Sequence, residues 1–161
     1  MSAAKGRKES PAGRKPVAVN KKALFKYQVV EKLEAGIELV GTEVKSIKEG
    51  RFSFADSYAL VENGELFLIA LHVNVYPHGN IFNHEPDRKR KLLVHKQEIK
   101  RLRRYVDEKG LTLVPLKVYL KRGLVKCELG ICRGKKLHDK RETIRKRDQK
   151  RDAERELRRF S

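Results

Sequence analysis

Positive charge gathers at the two ends of this 161-residue chain, and that distribution limits how much of it can fold around a core. Residues 1–22 carry seven basic and one acidic side chain, and residues 133–161 carry thirteen basic and six acidic. The 110 residues between them hold only +5 of the chain's net +18. The head has Gly6, Pro11, Gly13 and Pro16 and almost nothing to bury, so residues 1–19 are expected to be a disordered basic arm. The tail from 134 onward has only Leu137, Ile144, Ala153, Leu157 and Phe160 as apolar residues. Its composition favours helix, yet so thin a stripe cannot bury itself, and the segment is expected to stay disordered until a partner orders it. The middle, residues 20–133, is long enough for one core that buries roughly two thirds of its surface.

Whole-chain composition then excludes several classes. Hydrophobic residues make up 39% and charged ones 37%, too apolar for a disordered polycation and too lopsided in charge for a typical soluble enzyme. No run of 18 apolar residues could span a bilayer, and residues 1–22 lack the apolar stretch of a signal peptide. A cytoplasmic location is therefore expected. Two cysteines do not make a disulfide scaffold. Clustered cationic arms attract polyanions, and nucleic acid is the favoured partner. A merely solvated basic surface is the alternative. An anionic membrane fits less well, because no basic segment has a matching apolar face.

Periodicity in the middle points to many short strands. Residues 24–30 and 37–40 have strand composition and are separated by Glu34, Ala35 and Gly36. Residues 42–49 predict a short helix capped by Thr42 and ended by Gly50. Asn63-Gly64 predicts a hairpin between 57–61 and 65–76, and Arg122-Gly123 another between 111–121 and 124–132. A loop is expected over 77–91 and a helix over about 92–107, stopped by Gly110. The sum is a mostly β protein: a five- or six-stranded antiparallel barrel of the oligonucleotide-binding type with appended helices. An open sheet covered by the helices is the second choice.

Candidate contact residues follow from charge beside stacking surface. Asn20, Lys21 and Lys22 can grip phosphates at the start of the barrel. Glu34, next to Gly36, can accept from base amino groups, or can simply occupy a turn. Arg88-Lys89-Arg90-Lys91 beside Leu92-Leu93-Val94-His95 sets cations next to apolar and imidazole surface, which suits unstacked bases. Gly134-Lys135-Lys136-Leu137-His138-Asp139-Lys140-Arg141 combines a hinge glycine, phosphate-neutralising lysines and a ring that can stack. Cys127 and Cys132 stand an odd number of residues apart, on opposite strand faces, so no disulfide or shared zinc is expected. His78, His84 and Asp87 share a loop and permit an acid–base or metal reading, as in an RNA-processing enzyme, but match no zinc template. No cofactor and no catalytic residue is expected.

These same residues resemble the small protein B family, the tmRNA-binding (SsrA-binding) proteins of bacterial trans-translation. The resemblance rests on Asn20-Lys21-Lys22-Ala23, Glu34-Ala35-Gly36, Gly41-Thr42-Glu43-Val44-Lys45-Ser46, Asp56-Ser57-Tyr58, Arg90-Lys91-Leu92-Leu93, Gly134-Lys135-Lys136 and His138-Asp139-Lys140-Arg141, in order across residues 20–141. It implies an adaptor, not an enzyme, that binds the tRNA-like part of tmRNA and delivers it with elongation factor Tu to stalled 70S ribosomes. The protein is expected to be a monomer. It implies that Asn20, Tyr27, Glu34, Leu93 and His95, with Lys21, Lys22, Gly36, Arg90 and Lys91, face tmRNA. Gly134, Lys135, Lys136, His138, Asp139, Lys140 and Arg141 would serve the decoding centre and the empty mRNA channel, with His138 stacking on a small-subunit ribosomal RNA base. A ribosomal or ribosome-assembly protein is the competing reading.

Overall fold

The computed structural model describes residues 14–78, 83–135 and 137–159. Along the chain run β1 (Arg14–Val19), α1 (Lys21–Lys26), β2 (Tyr27–Ile37), α2 (Gly41–Lys48), β3 (Phe52–Ser53), β4 (Tyr58–Glu62) and β5 (Glu65–Ile69). There follow β6 (His72–Val73), β7 (Arg90–Leu93), α3 (Lys96–Lys109), β8 (Thr112–Lys121), β9 (Leu124–Gly134) and α4 (Leu137–Arg159). The main sheet closes on itself in the order β8-β4-β5-β7-β2-β9-β8, entirely antiparallel, and β1 is added along the free edge of β8. This is the six-stranded barrel expected from the hairpins.

Both hairpins turn through two residues at positive φ, Asn63-Gly64 and Arg122-Gly123, as a tight antiparallel turn requires. Inside the barrel, Leu66, Leu68, Leu92, Leu113, Val118, Leu129 and Ile131 are fully buried, and Leu102 of α3 plugs it. A second, smaller cluster of Ala23, Val114, Leu116 and Cys132 lies under α1. Thr112, Val114, Leu116, Val118 and Leu120 alternate in the sequence, yet they do not share one face. A bulge between Pro115 and Lys117 shifts the alternation by one, so Leu113 and Val118 both reach the main core while Val114 and Leu116 face α1. Gly130 sits where a Cβ would come within 2.6 Å of the Leu116 side chain, so the strands approach there only because it is glycine. Cys127 and Cys132 fall in separate clusters, and burial pushes their thiols up to about 12 and about 11.

Several expectations are corrected. The arm expected to be disordered through residue 19 is ordered from Arg14, because β8 has an unpaired edge that β1 fills; residues 1–13 lie outside the described residues. Residues 24–26, expected to begin a strand over 24–30, end the helix α1 instead, since Asn20 caps it: its Oδ1 accepts from the Ala23 N–H at 3.1 Å. Glu34-Ala35-Gly36 is no turn but part of β2. Residues 92–93 belong to β7, not to the helix. The sheet hairpin ends at Ile69, and of the 77–91 loop residues 79–82 lie outside the described residues. Thr42 does not cap α2; its hydroxyl meets His84 Nδ1 at 2.8 Å. Residues 137–159 of the tail form one helix, in keeping with its wealth of Arg, Lys and Glu, while their described side chains stay exposed.

One polar cluster sits inside the barrel wall. Arg90 and Glu43 are both fully buried and form an ion pair. The other Arg90 N–H groups reach the carbonyls of Leu71 at 2.7 Å, Arg88 at 2.9 Å, Pro86 at 3.0 Å and Glu85 at 3.5 Å. Arg88 adds a second contact to Glu43 at 2.6 Å. Burial alone would push the Glu43 carboxyl up, but bonds from Arg88 and the Val40 N–H and the charge of Arg90 outweigh it and hold it below the usual range. This cluster ties α2 and the 85–88 loop to β7.

Candidate nucleic-acid interface

The residues expected to face one RNA surface divide into two groups at opposite ends of β2. Tyr27 begins this strand and Gly36 nearly ends it, nine residues on, which at about 3.3 Å per residue separates them by roughly 30 Å.

At the Gly36 end an open hollow of about 380 Å³ is lined by Glu34, Gly36, Leu93, Val94, His95, Glu98 and Lys126. Gly36 and Leu93 are cross-strand partners between β2 and β7. A Cβ on Gly36 would stand 3.3 Å from the Leu93 Cβ, so glycine leaves Leu93 room to lie outward, where it is 51% exposed. His95 sits just before α3, its N–H donating to Glu98 Oε2 at 3.2 Å. The Glu34 carboxylate accepts from the Tyr119 hydroxyl, from Arg14 at 2.9 Å and from Lys121 at 3.2 Å. The Tyr119 bond is the largest influence holding its carboxyl below the usual range; Lys121 and Arg14 assist against the opposing effect of burial. Burial and the same bond push the Tyr119 phenol up, and the Arg14 guanidinium lies over its ring at 4.8 Å. A carboxylate surrounded in this way can stand at an RNA surface without presenting uncompensated negative charge to phosphates.

At the Tyr27 end lie Lys21 and Lys22 of α1 and the exit of the tail. Tyr27 pairs with Gly134, the Lys135 N–H donates to the Lys26 carbonyl at 3.2 Å, and Lys135 Nζ donates to the Leu24 carbonyl at 3.2 Å. The described α4 side chains are exposed, and Arg147 lies over the Phe25 ring at 5.7 Å. Lys136 lies outside the described residues; His138, Asp139 and Lys140 are placed by their helical backbone alone, and Arg141 is exposed.

Two expected contact residues are interior instead. Arg90 is enclosed by Glu43 and main-chain carbonyls because β7 alternates, turning Arg90 and Leu92 inward and Lys91 and Leu93 outward. Asn20 is buried, its amide donating to the Pro115 carbonyl at 2.9 Å. Lys91 is on the outer wall, 3.4 Å from Glu65.

The comparisons with known proteins agree along nearly the whole chain. The sequence model of the family described as SmpB protein matches residues 17–159. The chain belongs to the SmpB protein family. The SsrA-binding protein of Desulfitobacterium hafniense is 56% identical over 146 residues, covering 91% of this chain and 94% of the relative. That of Alkaliphilus metalliredigens is 54% identical over 145 residues, with 90% and 92% covered. A chain from the solved structure "tmRNA-SmpB: a journey to the center of the bacterial ribosome" superposes with a TM-score of 0.65 at 48% identity, covering 81% of this chain and 95% of that one.

The residues of the rival enzyme reading do not converge on one site in this SmpB chain. The His84 ring is taken up by Thr42 and by the Val73 carbonyl at 2.9 Å, Asp87 pairs with His72 at 2.8 Å, and His78 packs edge-on to Tyr76. Among the described residues no group of three or more His, Cys, Asp or Glu is placed to hold a metal, and no helix is long and apolar enough to cross a membrane. Arg14, Tyr119, Lys121 and Lys126 were missed by sequence reasoning. For Tyr119, Lys121 and Lys126 the signal was the cross-strand pattern of the second hairpin, which sets Tyr119 opposite Lys126; Arg14 joins them through β1, opposite Lys121.

Proposed function

We propose that this protein is a non-enzymatic RNA-binding adaptor of trans-translation, working as a monomer in the cytoplasm. It binds the tRNA-like part of tmRNA and delivers it, with elongation factor Tu, to ribosomes stalled on truncated messages. The observation that carries this reading is the separation of two different surfaces by the length of β2, in a chain 56% identical to a protein named for binding SsrA. The Gly36 end offers a shaped hollow with an exposed leucine, an imidazole and a compensated carboxylate, suited to structured RNA held by backbone contacts and a few bases. The Tyr27 end launches a cationic helix that meets α1. Gly134, Lys135, Lys136, His138, Asp139, Lys140 and Arg141, which follow the last barrel strand in the sequence, serve the decoding centre. The helix has too thin an apolar stripe to be firmly ordered alone, and the vacant mRNA channel holds it.

Truncation after Lys135 tests the division, because Gly134 and Lys135 still bond to the barrel. The shortened protein is expected to keep tmRNA affinity within about threefold in filter binding, since it loses only charges remote from the hollow. Peptide tagging on truncated messages is expected to fall to background. A collapse of tmRNA affinity would overturn the division. Stoichiometric presence in ribosomal subunits from growing cells would instead favour a ribosomal protein.

A further inference from the structure

The carboxylate that Glu34 brings to the hollow has its acceptor positions unequally taken. A carboxylate offers about four lone-pair positions, two on each oxygen. Oε2 of Glu34 accepts from both the Tyr119 hydroxyl and the Arg14 guanidinium, whereas Oε1 accepts only from Lys121. One position, on Oε1, is therefore left for a ligand of the hollow. The three donors also differ in how firmly they hold. Arg14 and Lys121 are charged and partly exposed, so an approaching phosphate competes with Glu34 for both. Tyr119 is buried and its hydroxyl is neutral, so a phosphate does not draw it away. Its place is set from both sides, opposite Pro16 of β1 and Lys126 of β9. Tyr119 thus fixes the rotation of the carboxylate before RNA arrives. Lys126 supplies the hollow with a cation, its Nζ 3.6 Å from where a Cβ on Gly36 would stand.

We propose that Tyr119 is a positioning residue for tmRNA recognition: with Arg14 it occupies Oε2 of Glu34, so that Oε1 is presented to the hollow as the acceptor for a single base amino group. The inference rests on the adaptor reading, which assigns this hollow to tmRNA. Phosphate has no donor to offer Oε1 and goes to Lys126 instead, so the two groups sort the two parts of a nucleotide. A carboxylate with both oxygens open could take paired donors; this one takes one. By carrying Arg14, β1 contributes to recognition as well as covering the edge of β8.

The test is filter binding of full-length chains to tmRNA, with each variant shown to be folded by urea melting. Near neutral pH, Tyr119→Phe keeps the ring and removes only the hydroxyl. It is expected to weaken binding about fivefold and Glu34→Gln about tenfold, with the double variant no weaker than Glu34→Gln alone. Arg14→Met repeats the cycle from the other donor to Oε2 and decides the matter if the phenol is needed for folding. The pH profile separates positioning from a structural role. The Tyr119 bond is the largest influence holding the Glu34 carboxyl below its usual range, so without it affinity should be lost at a higher pH than in the wild type as the solution is acidified. Arg14, Lys121, Glu128 opposite Glu34, and Lys126, His95 and Glu98 of the hollow also face this carboxyl, and the Glu34→Gln profile is the reference that removes their contribution. Additive losses in the cycles, or coincident pH profiles, would overturn the positioning role. Single 2′-deoxy substitutions in a synthetic tRNA-like fragment are expected to leave the Glu34→Gln effect intact, and one that abolishes it would overturn the choice of a base amino group. Lys126→Ala is expected to reduce the salt slope by about one. If neither Lys126→Ala nor Glu34→Gln weakens tmRNA binding, the hollow does not face tmRNA, which refutes the underlying assignment and is an outcome separate from these.

Discussion

The buried ion pair of β7 and α2 and the exposed charges of α4 are made of the same residue types and behave oppositely. Arg90 is removed from water and gives its donors to Glu43 and to carbonyls of the surrounding chain. The arginines of α4 remain in water. A buried charge that loses its partner leaves the other uncompensated, whereas an exposed one is screened within about 8–10 Å at ordinary salt. The difference teaches that a net charge of +18 is no measure of the charge available for RNA: part of it is architecture.

Breaking the interior side should have the largest effect. Arg90→Met is expected to destabilise the barrel by about 3–5 kcal/mol in urea unfolding, because Glu43 then loses its fully buried partner and keeps only the half-exposed Arg88 as a counter-charge. A loss below about 1 kcal/mol would mean that the pair is not closed to water. Next comes Gly130→Ala, expected at about 1–3 kcal/mol from overpacking against Leu116. Glu34→Gln stands between the two regimes, since its carboxyl is partly exposed and serves both β1 and the hollow. About 1 kcal/mol is expected. Its pH dependence has a definite sign. A carboxyl held below its ordinary 4.5 contributes stability that is present above that value and is lost as pH falls through the lowered folded value. Below about pH 4.5 the wild type should therefore lose stability more steeply than Glu34→Gln, and parallel acid limbs would remove Glu34 from the network. At the exterior extreme, Arg155→Glu/Arg159→Glu should shift stability by no more than about 0.5 kcal/mol, a surface change with no buried partner. A larger change would show that α4 is part of the folded core.

The same contrast explains what could be read from the residues. Hairpins were legible because Asn63-Gly64 and the residues flanking Arg122-Gly123 are local signals that need no knowledge of the partner strand. Barrel closure followed from their number and alternation. The run Arg88-Lys89-Arg90-Lys91 misled because its four charges look alike, while inward or outward position depends on a strand partner 55 residues upstream, where Ile37 faces Leu92. Residues 24–26 misled differently: their side chains suit a strand, and Asn20 with the space under α1 decided for helix. Glu34 was singled out as unusual from its charge alone. That Tyr119 and Arg14 hold it in place emerges only when β1, β2 and β8 are side by side.

The pairing of β2 with β9 has a mechanical meaning. It runs unbroken in direction from Tyr27 opposite Gly134 to Gly36 opposite Lys126, absorbing one bulge at Val29/Glu31. A single strand pair therefore gauges the distance from hollow to tail. Two extra residues in each strand would preserve the facing of every side chain and lengthen the gauge by about 6.6 Å, whereas one would invert the faces. Drift in surface chemistry is tolerable to such a caliper, but a change in its count of residues is not.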